Sequence, residues 1–143
     1  MTGSRAVSAS GLPTPAPEIA PEARPFWAAA ARGRLLLQRC AGCAAVVWYP
    51  RGLCPACGGT SLEWFEASGR GTVYSYTVVR RGAPGPYADA TPYVLAYVEL
   101  EEGPRILTNV VHADVDAVRV GDAVRAVFEP AVEDAGLVRF APA

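Results

Sequence analysis

Four cysteines limit what this chain can fold into more than any other feature does. They stand as Cys40-Ala-Gly-Cys43 and Cys54-Pro-Ala-Cys57, with ten residues between the pairs. Two C-x-x-C pairs are the donor set of a tetrathiolate zinc site. In each pair the chain makes a tight turn that points both sulfurs into one concavity, and Ala41-Gly42 and Pro55-Ala56 are compact enough for such turns. Gly58, just past the second pair, is free to take the left-handed backbone geometry. The loop from Ala44 to Leu53 is long enough for a hairpin, so the spacing predicts a zinc ribbon held by Cys40, Cys43, Cys54 and Cys57. Structural zinc contributes about 10–16 kcal/mol of apparent binding energy in small peptides. A module this short has little core of its own, and the metal would supply most of its stability. Four thiolates close the tetrahedron and leave no position for Lewis-acid chemistry. Iron in a rubredoxin-like site, and disulfides or thiols without metal, are the alternatives to zinc.

The rest of the composition sets broad bounds. The 143 residues are 51% hydrophobic and 19% charged, which suits one ordinary domain or two very small ones with a buried core. Thirteen basic residues against fourteen acidic ones give a net charge of −1, whereas a general polyanion binder is strongly basic. Every basic residue is arginine, which we read as coding bias. No segment reaches the roughly 18–20 apolar residues needed to span a bilayer. The first ten residues lack the apolar stretch of a signal peptide, so a cytoplasmic, reducing location is expected. There, paired cysteines bind metal more often than they form disulfides.

Along the chain three segments are expected: a disordered or extended tail over 1–24, a helix plus zinc ribbon over 25–67, and a barrel over 68–143. Pro13, Pro15, Pro17 and Pro21 punctuate a tail with no aromatic residue. Pro25 at a first helical position, a run of alanines and Gly33 as a stop predict a two-turn helix, too short to be stable alone. Residues 34–39 and 62–66 read as strands beside the cysteines. From Gly71 onward, runs rich in β-branched and aromatic residues predict five strands: 73–79, 93–100, 106–111, 124–128 and 137–140. A turn-like or single-turn helical stretch over 113–120 divides the third from the fourth. That order is the one of an OB-fold, and closure protects the edges that an open sheet would expose. A five-stranded SH3-like barrel is the alternative. The fold class is thus mostly β.

The combined pattern is more specific than any part of it. It comprises Pro25-Phe26-Trp27, the two cysteine pairs, Gly69-Arg-Gly-Thr-Val-Tyr-Ser-Tyr-Thr77, and Pro92-Tyr-Val-Leu-Ala-Tyr-Val-Glu-Leu-Glu-Glu-Gly-Pro104. This pattern resembles the DUF35 family, zinc-ribbon plus OB-fold proteins associated with acyl-CoA metabolism, over all but the N-terminal tail. The resemblance implies an accessory subunit without catalytic residues of its own. Its expected partner is a thiolase-superfamily enzyme (a lipid-transfer-like thiolase or aldolase) or an enoyl-CoA hydratase, and it is expected to help handle acyl-CoA.

Other residues are candidates for partner or ligand binding. Phe26, Trp27 and Trp48, with Tyr49, read either as the core of the helix and ribbon or, since so small a module cannot comfortably hide them all, in part as an exposed patch that docks a partner. Arg80 and Arg81 precede a Gly/Pro loop carrying Tyr87, near the place where OB-folds bind ligands, and arginine suits a CoA phosphate or an acidic surface. His112, the only histidine, has no nucleophile placed to complete a catalytic set. Gly69-Arg70-Gly71 precedes a strand and is no phosphate loop. Two other readings stay open: a single-stranded nucleic-acid-binding protein, to which both modules are suited, and a stand-alone acyl-CoA enzyme.

Overall fold

Proline near its start and glycine beyond its end frame helix α1, Arg24–Ala31, in a computed structural model that describes residues 9–143. Gly33, at φ 75°, turns the chain away, and the amides of Gly33 and Arg34 return to the carbonyls of Ala30 and Ala29. This satisfies the last helical carbonyls, as a left-handed glycine cap does. The helix leads into a three-stranded antiparallel sheet of β1 (Leu36–Cys40), β2 (Val46–Val47) and β3 (Leu62–Glu66), with β1 in the centre. The predicted strands 34–39 and 62–66 correspond to β1 and β3; β2 lies inside the cysteine loop.

The remaining strands are β4 (Arg70–Val79), β5 (Tyr93–Leu100), β6 (Arg105–Val110), β7 (Ala123–Val132) and β8 (Ala135–Pro142). They form a closed barrel in the order β4-β5-β6-β8-β7. All neighbours are antiparallel except β6 and β8, which meet in parallel at Val110 and Phe140. The five-strand closed barrel is that of an OB-fold, and the SH3-like alternative falls away. In β5 the alternate residues Val94, Ala96, Val98 and Leu100 are buried, as a half-buried strand requires. Gly71 permits the closure of the barrel: a Cβ there would stand 2.6 Å from the Glu99 carbonyl oxygen.

Helix, ribbon and barrel share one core. Phe26, Leu35 and Leu37 pack in the same apolar cluster as Val73, Val98, Ile106 and Phe140. Helix α1 lies on β8, and Gly136 brings the two backbones together, since a Cβ on it would meet the Ala30 carbonyl oxygen at 2.6 Å. Two either-or expectations resolve. The stretch 113–120 forms turns and no helix, because Asp114 and Asp122 side chains accept the Asp116 and Arg119 amides and so compete with helical bonding. The described part of the predicted tail, residues 9–24, is extended and then forms a 3-10 turn at Pro21–Ala23, so it is ordered where disorder was one expectation. Its hydrogen bonds to the barrel supply the reason, and residues 1–8 lie outside the described residues.

Candidate metal centre and aromatic cleft

The two cysteine pairs form two equivalent turns. The Ala44 amide donates to the Cys40 carbonyl, and the Gly58 amide to the Cys54 carbonyl, each at 2.8 Å. Ala44 and Gly58 occupy the same left-handed position, at φ 65° and 78°. The four Sγ atoms lie within 4.8 Å of one another, with Cys40–Cys57 at 3.6 Å and Cys43–Cys54 at 3.7 Å. Zn–S bonds of about 2.3 Å in a tetrahedron place sulfurs about 3.8 Å apart, so the donor set fits one zinc ion. A disulfide needs about 2.05 Å.

Backbone amides, desolvation and the closeness of the sulfurs shift Cys43, Cys54 and Cys57 from the ordinary thiol value in different directions. Amides of Cys57 and Ala56 and neighbouring thiols lower Cys54 to about 7 against burial. The Ala45 amide favours a Cys43 thiolate too, but desolvation and the other three sulfurs outweigh it and push Cys43 up to about 12. Four thiolates cannot coexist at neutral pH without a positive ion between them.

The second feature is a cleft of about 360 Å³ between the helix-ribbon module and strands β6 and β8. Phe26, Trp27, Trp48 and Tyr49 form one wall, and Ile106, Leu107, Leu137 and Val138 lie opposite. The rings pack edge to face: Phe26–Trp27 at 5.0 Å, Phe26–Trp48 at 5.2 Å and Trp48–Tyr49 at 5.2 Å between centroids. Such pairs contribute about 0.5–1.5 kcal/mol each beyond the area they bury. Trp27 Nε1 donates to the Tyr49 hydroxyl at 3.1 Å. Phe26 is buried at the base, whereas Tyr49 and Leu107 reach the surface.

Thr108, Asn109 and Arg139, which line the cleft, are already engaged. Thr108 Oγ1 donates to the Val138 carbonyl at 3.0 Å, and Asn109 Nδ2 to the Val94 carbonyl at 2.9 Å. Arg139 is neutralised by Glu129, and its Nη2 donates to the Tyr87 hydroxyl at 3.0 Å. Desolvation raises the Glu129 carboxyl, but bonds from Arg139 and Ser10 outweigh it and hold the group below the ordinary carboxylate range. The cleft therefore offers apolar surface and no unpaired charge.

Of the predicted residues, Phe26, Trp27, Trp48 and Tyr87 come together here. Arg80 and Arg81 do not line the cleft; Arg80 donates to Asp116 at 2.6 Å, and Arg81 is exposed. His112 is exposed at φ 56° and stands apart from the cysteines. The lining residues of β6 and β8, Arg139 above all, escaped the sequence reading, since barrel closure alone brings them to the aromatic wall.

The ChsH2 rubredoxin-like zinc ribbon domain family matches residues 27–63, and the ChsH2 C-terminal OB-fold domain family matches residues 64–129. A DUF35 domain-containing scaffold protein of Methanothermobacter thermautotrophicus is 36% identical over 104 residues, which cover 72% of this chain and 77% of the relative. The chain belongs to the DUF35 family. A solved structure described as an Ltp2-ChsH2(DUF35) aldolase superposes with a TM-score of 0.78 at 37% identity, covering 89% of this chain and 98% of that one. The probable enoyl-CoA hydratase alpha subunit of Thermomonospora curvata is 44% identical over 97 residues, 67% of this chain. This DUF35 chain spans only 30% of that relative's length. The benzoylsuccinyl-CoA thiolase subunit BbsA of Geobacter metallireducens is 33% identical over 78 residues, 54% of this chain and 51% of the relative. No helix of the described residues is long and apolar enough to cross a membrane.

Proposed function

We propose that this DUF35 protein is a non-catalytic accessory subunit that docks on an acyl-CoA enzyme of the thiolase superfamily or on an enoyl-CoA hydratase. The observation that carries the reading is the aromatic cleft. Tyr49 of the ribbon and Leu107 of the barrel reach the surface over Trp27, Trp48 and the buried Phe26, and Arg139, which lines the cleft, is neutralised by Glu129. Aromatic residues over a desolvated apolar centre are what protein interfaces use as anchors. The names of the relatives, a scaffold protein, a hydratase alpha subunit and a thiolase subunit, support the class of partner.

In this reading the zinc is architectural and holds the ribbon that presents Trp48 and Tyr49. Cys40, Cys43, Cys54 and Cys57 are its ligands. The barrel helps to hold or guide a CoA ester. The uncharged cleft suits a hydrocarbon portion, while Arg80 and Arg81, at the end of β4, suit the phosphates or an acidic partner surface. The segments 25–67 and 68–143 divide the work between docking and ligand handling. We place the chain in the cytoplasm, where four free thiols stay available to zinc. Purification of the tagged chain from its native cells, followed by mass spectrometry, tests the proposal. An acyl-CoA enzyme in stoichiometric amount is expected; stable partners that include none would refute it. Turnover of acyl-CoA by the isolated chain would favour the stand-alone enzyme instead.

A further inference from the structure

The N-terminal segment is more than a tether, because it ends in a built site. Glu129 on β7 and Arg139 on β8 form an ion pair whose side chains are 4% and 3% exposed. Each partner has bonding capacity beyond the pair, and residues 10–13 take it up. Ser10 donates twice to the Glu129 carboxylate, from its amide at 3.0 Å and its hydroxyl at 2.9 Å. Arg139 Nη2 donates to the Pro13 carbonyl at 2.6 Å. Leu12 lies between them, buried, with its amide on the Ser10 hydroxyl at 3.2 Å. A carboxylate reads an amide and a hydroxyl, a guanidinium reads a carbonyl, and a buried leucine stands between them. Bonds to ionised groups of this kind are about twice as strong as neutral ones.

The same Nη2 reaches Tyr87, which stands at the edge of the cleft and packs on Tyr93 at 5.5 Å. The backbone bonds of its loop are local: Tyr87 to Pro84, Ala88 to Gly85 and Ala90 to Tyr87. A loop held by such bonds alone opens easily.

We propose that Glu129 and Arg139 form a peptide-binding site that residues 10–13 of the chain itself occupy, and that seating this segment fixes Tyr87 at the edge of the aromatic cleft. The ligand class is a short Ser-x-Leu-Pro segment. This inference stands on the isolated chain and does not depend on which enzyme the cleft docks.

Hydrogen exchange on the zinc-loaded chain tests it, with the full-length protein compared with a variant lacking residues 1–13 and with Leu12→Asp. Exchange at the Tyr87, Ala88 and Ala90 amides is expected to quicken about tenfold in both variants, the effect of losing roughly one net hydrogen bond to a charged group. Protection in β4, β5 and the ribbon is expected to persist. An excess of a synthetic peptide of residues 1–15 is expected to slow the loop again in the truncated chain. Unchanged exchange over 82–91 would overturn the proposal. So would loss of protection throughout the barrel in both variants, which would make the segment part of the core, or a peptide without effect.

Discussion

Replacing Gly136 by alanine tests how α1 and its aromatic rings are held. The added Cβ would lie 2.6 Å from the Ala30 carbonyl oxygen, 2.7 Å from its carbon and 2.8 Å from the Ala31 nitrogen. All three are backbone atoms, so no side chain can swing aside. Ordinary contact begins near 3.4 Å, so the helix end must retreat by about 0.8 Å. Overpacking of this size costs about 1–3 kcal/mol. For a chain of this length that corresponds to a melting temperature lower by roughly 3–10 °C. The residue has no positive φ, so the cost is steric and not conformational. Gly52→Ala is the control, since a Cβ there meets nothing within 4 Å. Thermal unfolding with zinc held in excess reads the difference. Because α1 carries Phe26 and Trp27, near-ultraviolet circular dichroism should change as well. A Gly136→Ala protein that melts with the wild type would refute the packing of α1 on β8.

Three further outcomes are expected. Freshly isolated protein should contain about one zinc per chain by elemental analysis, and Cys54→Ser should lose metal and the ribbon together; absence of metal would contradict the site. Arg139→Met leaves the Glu129 carboxylate buried without its countercharge and should cost about 3–5 kcal/mol in denaturant unfolding, whereas Glu129→Leu/Arg139→Met removes the buried charge and should cost less, the loss that remains being that of the bonds to Ser10, Pro13 and Tyr87. Glu129 has a depressed carboxyl in the folded state, so its contribution is present above the unfolded value near 4.3 and is lost as pH falls through the folded one. Stability should therefore fall more steeply with acid in the wild type than in the double variant; equal slopes would contradict this.

What the sequence made legible follows from how local each cause is. Strand β5 could be read to its ends because Val94, Ala96, Val98 and Leu100 alternate between turn signals. The metal site was legible because each C-x-x-C turn carries its own geometry. Strand β2 has only two residues, and its pairing with β1 depends on the metal turns around it. Of the two forms expected over 113–120, the turn prevails over the single helical turn because short aspartate side chains capture amides that a helix would have used. The cleft was half legible. Its rings announce themselves as surplus aromatics in a small module, but Leu107, Val138 and Arg139 reach them only when β6 and β8 become neighbours. Glu129 and Arg139 read as ordinary strand charges until the register of β7 on β8 buries both.

The most direct test of the docking account is the affinity of the purified partner enzyme for variants of the cleft surface. Tyr49 and Leu107 are the residues to change, being 36% and 56% exposed and so open to a partner. Tyr49→Ala and Leu107→Glu should each keep wild-type zinc content and weaken the complex about thirtyfold in calorimetry, the loss of an interface anchor. Leu107→Glu should also keep the wild-type melting temperature, whereas Tyr49→Ala should melt a few degrees lower because it loses its contact with Trp48 and the bond from Trp27. Both variants binding with wild-type affinity would contradict the account.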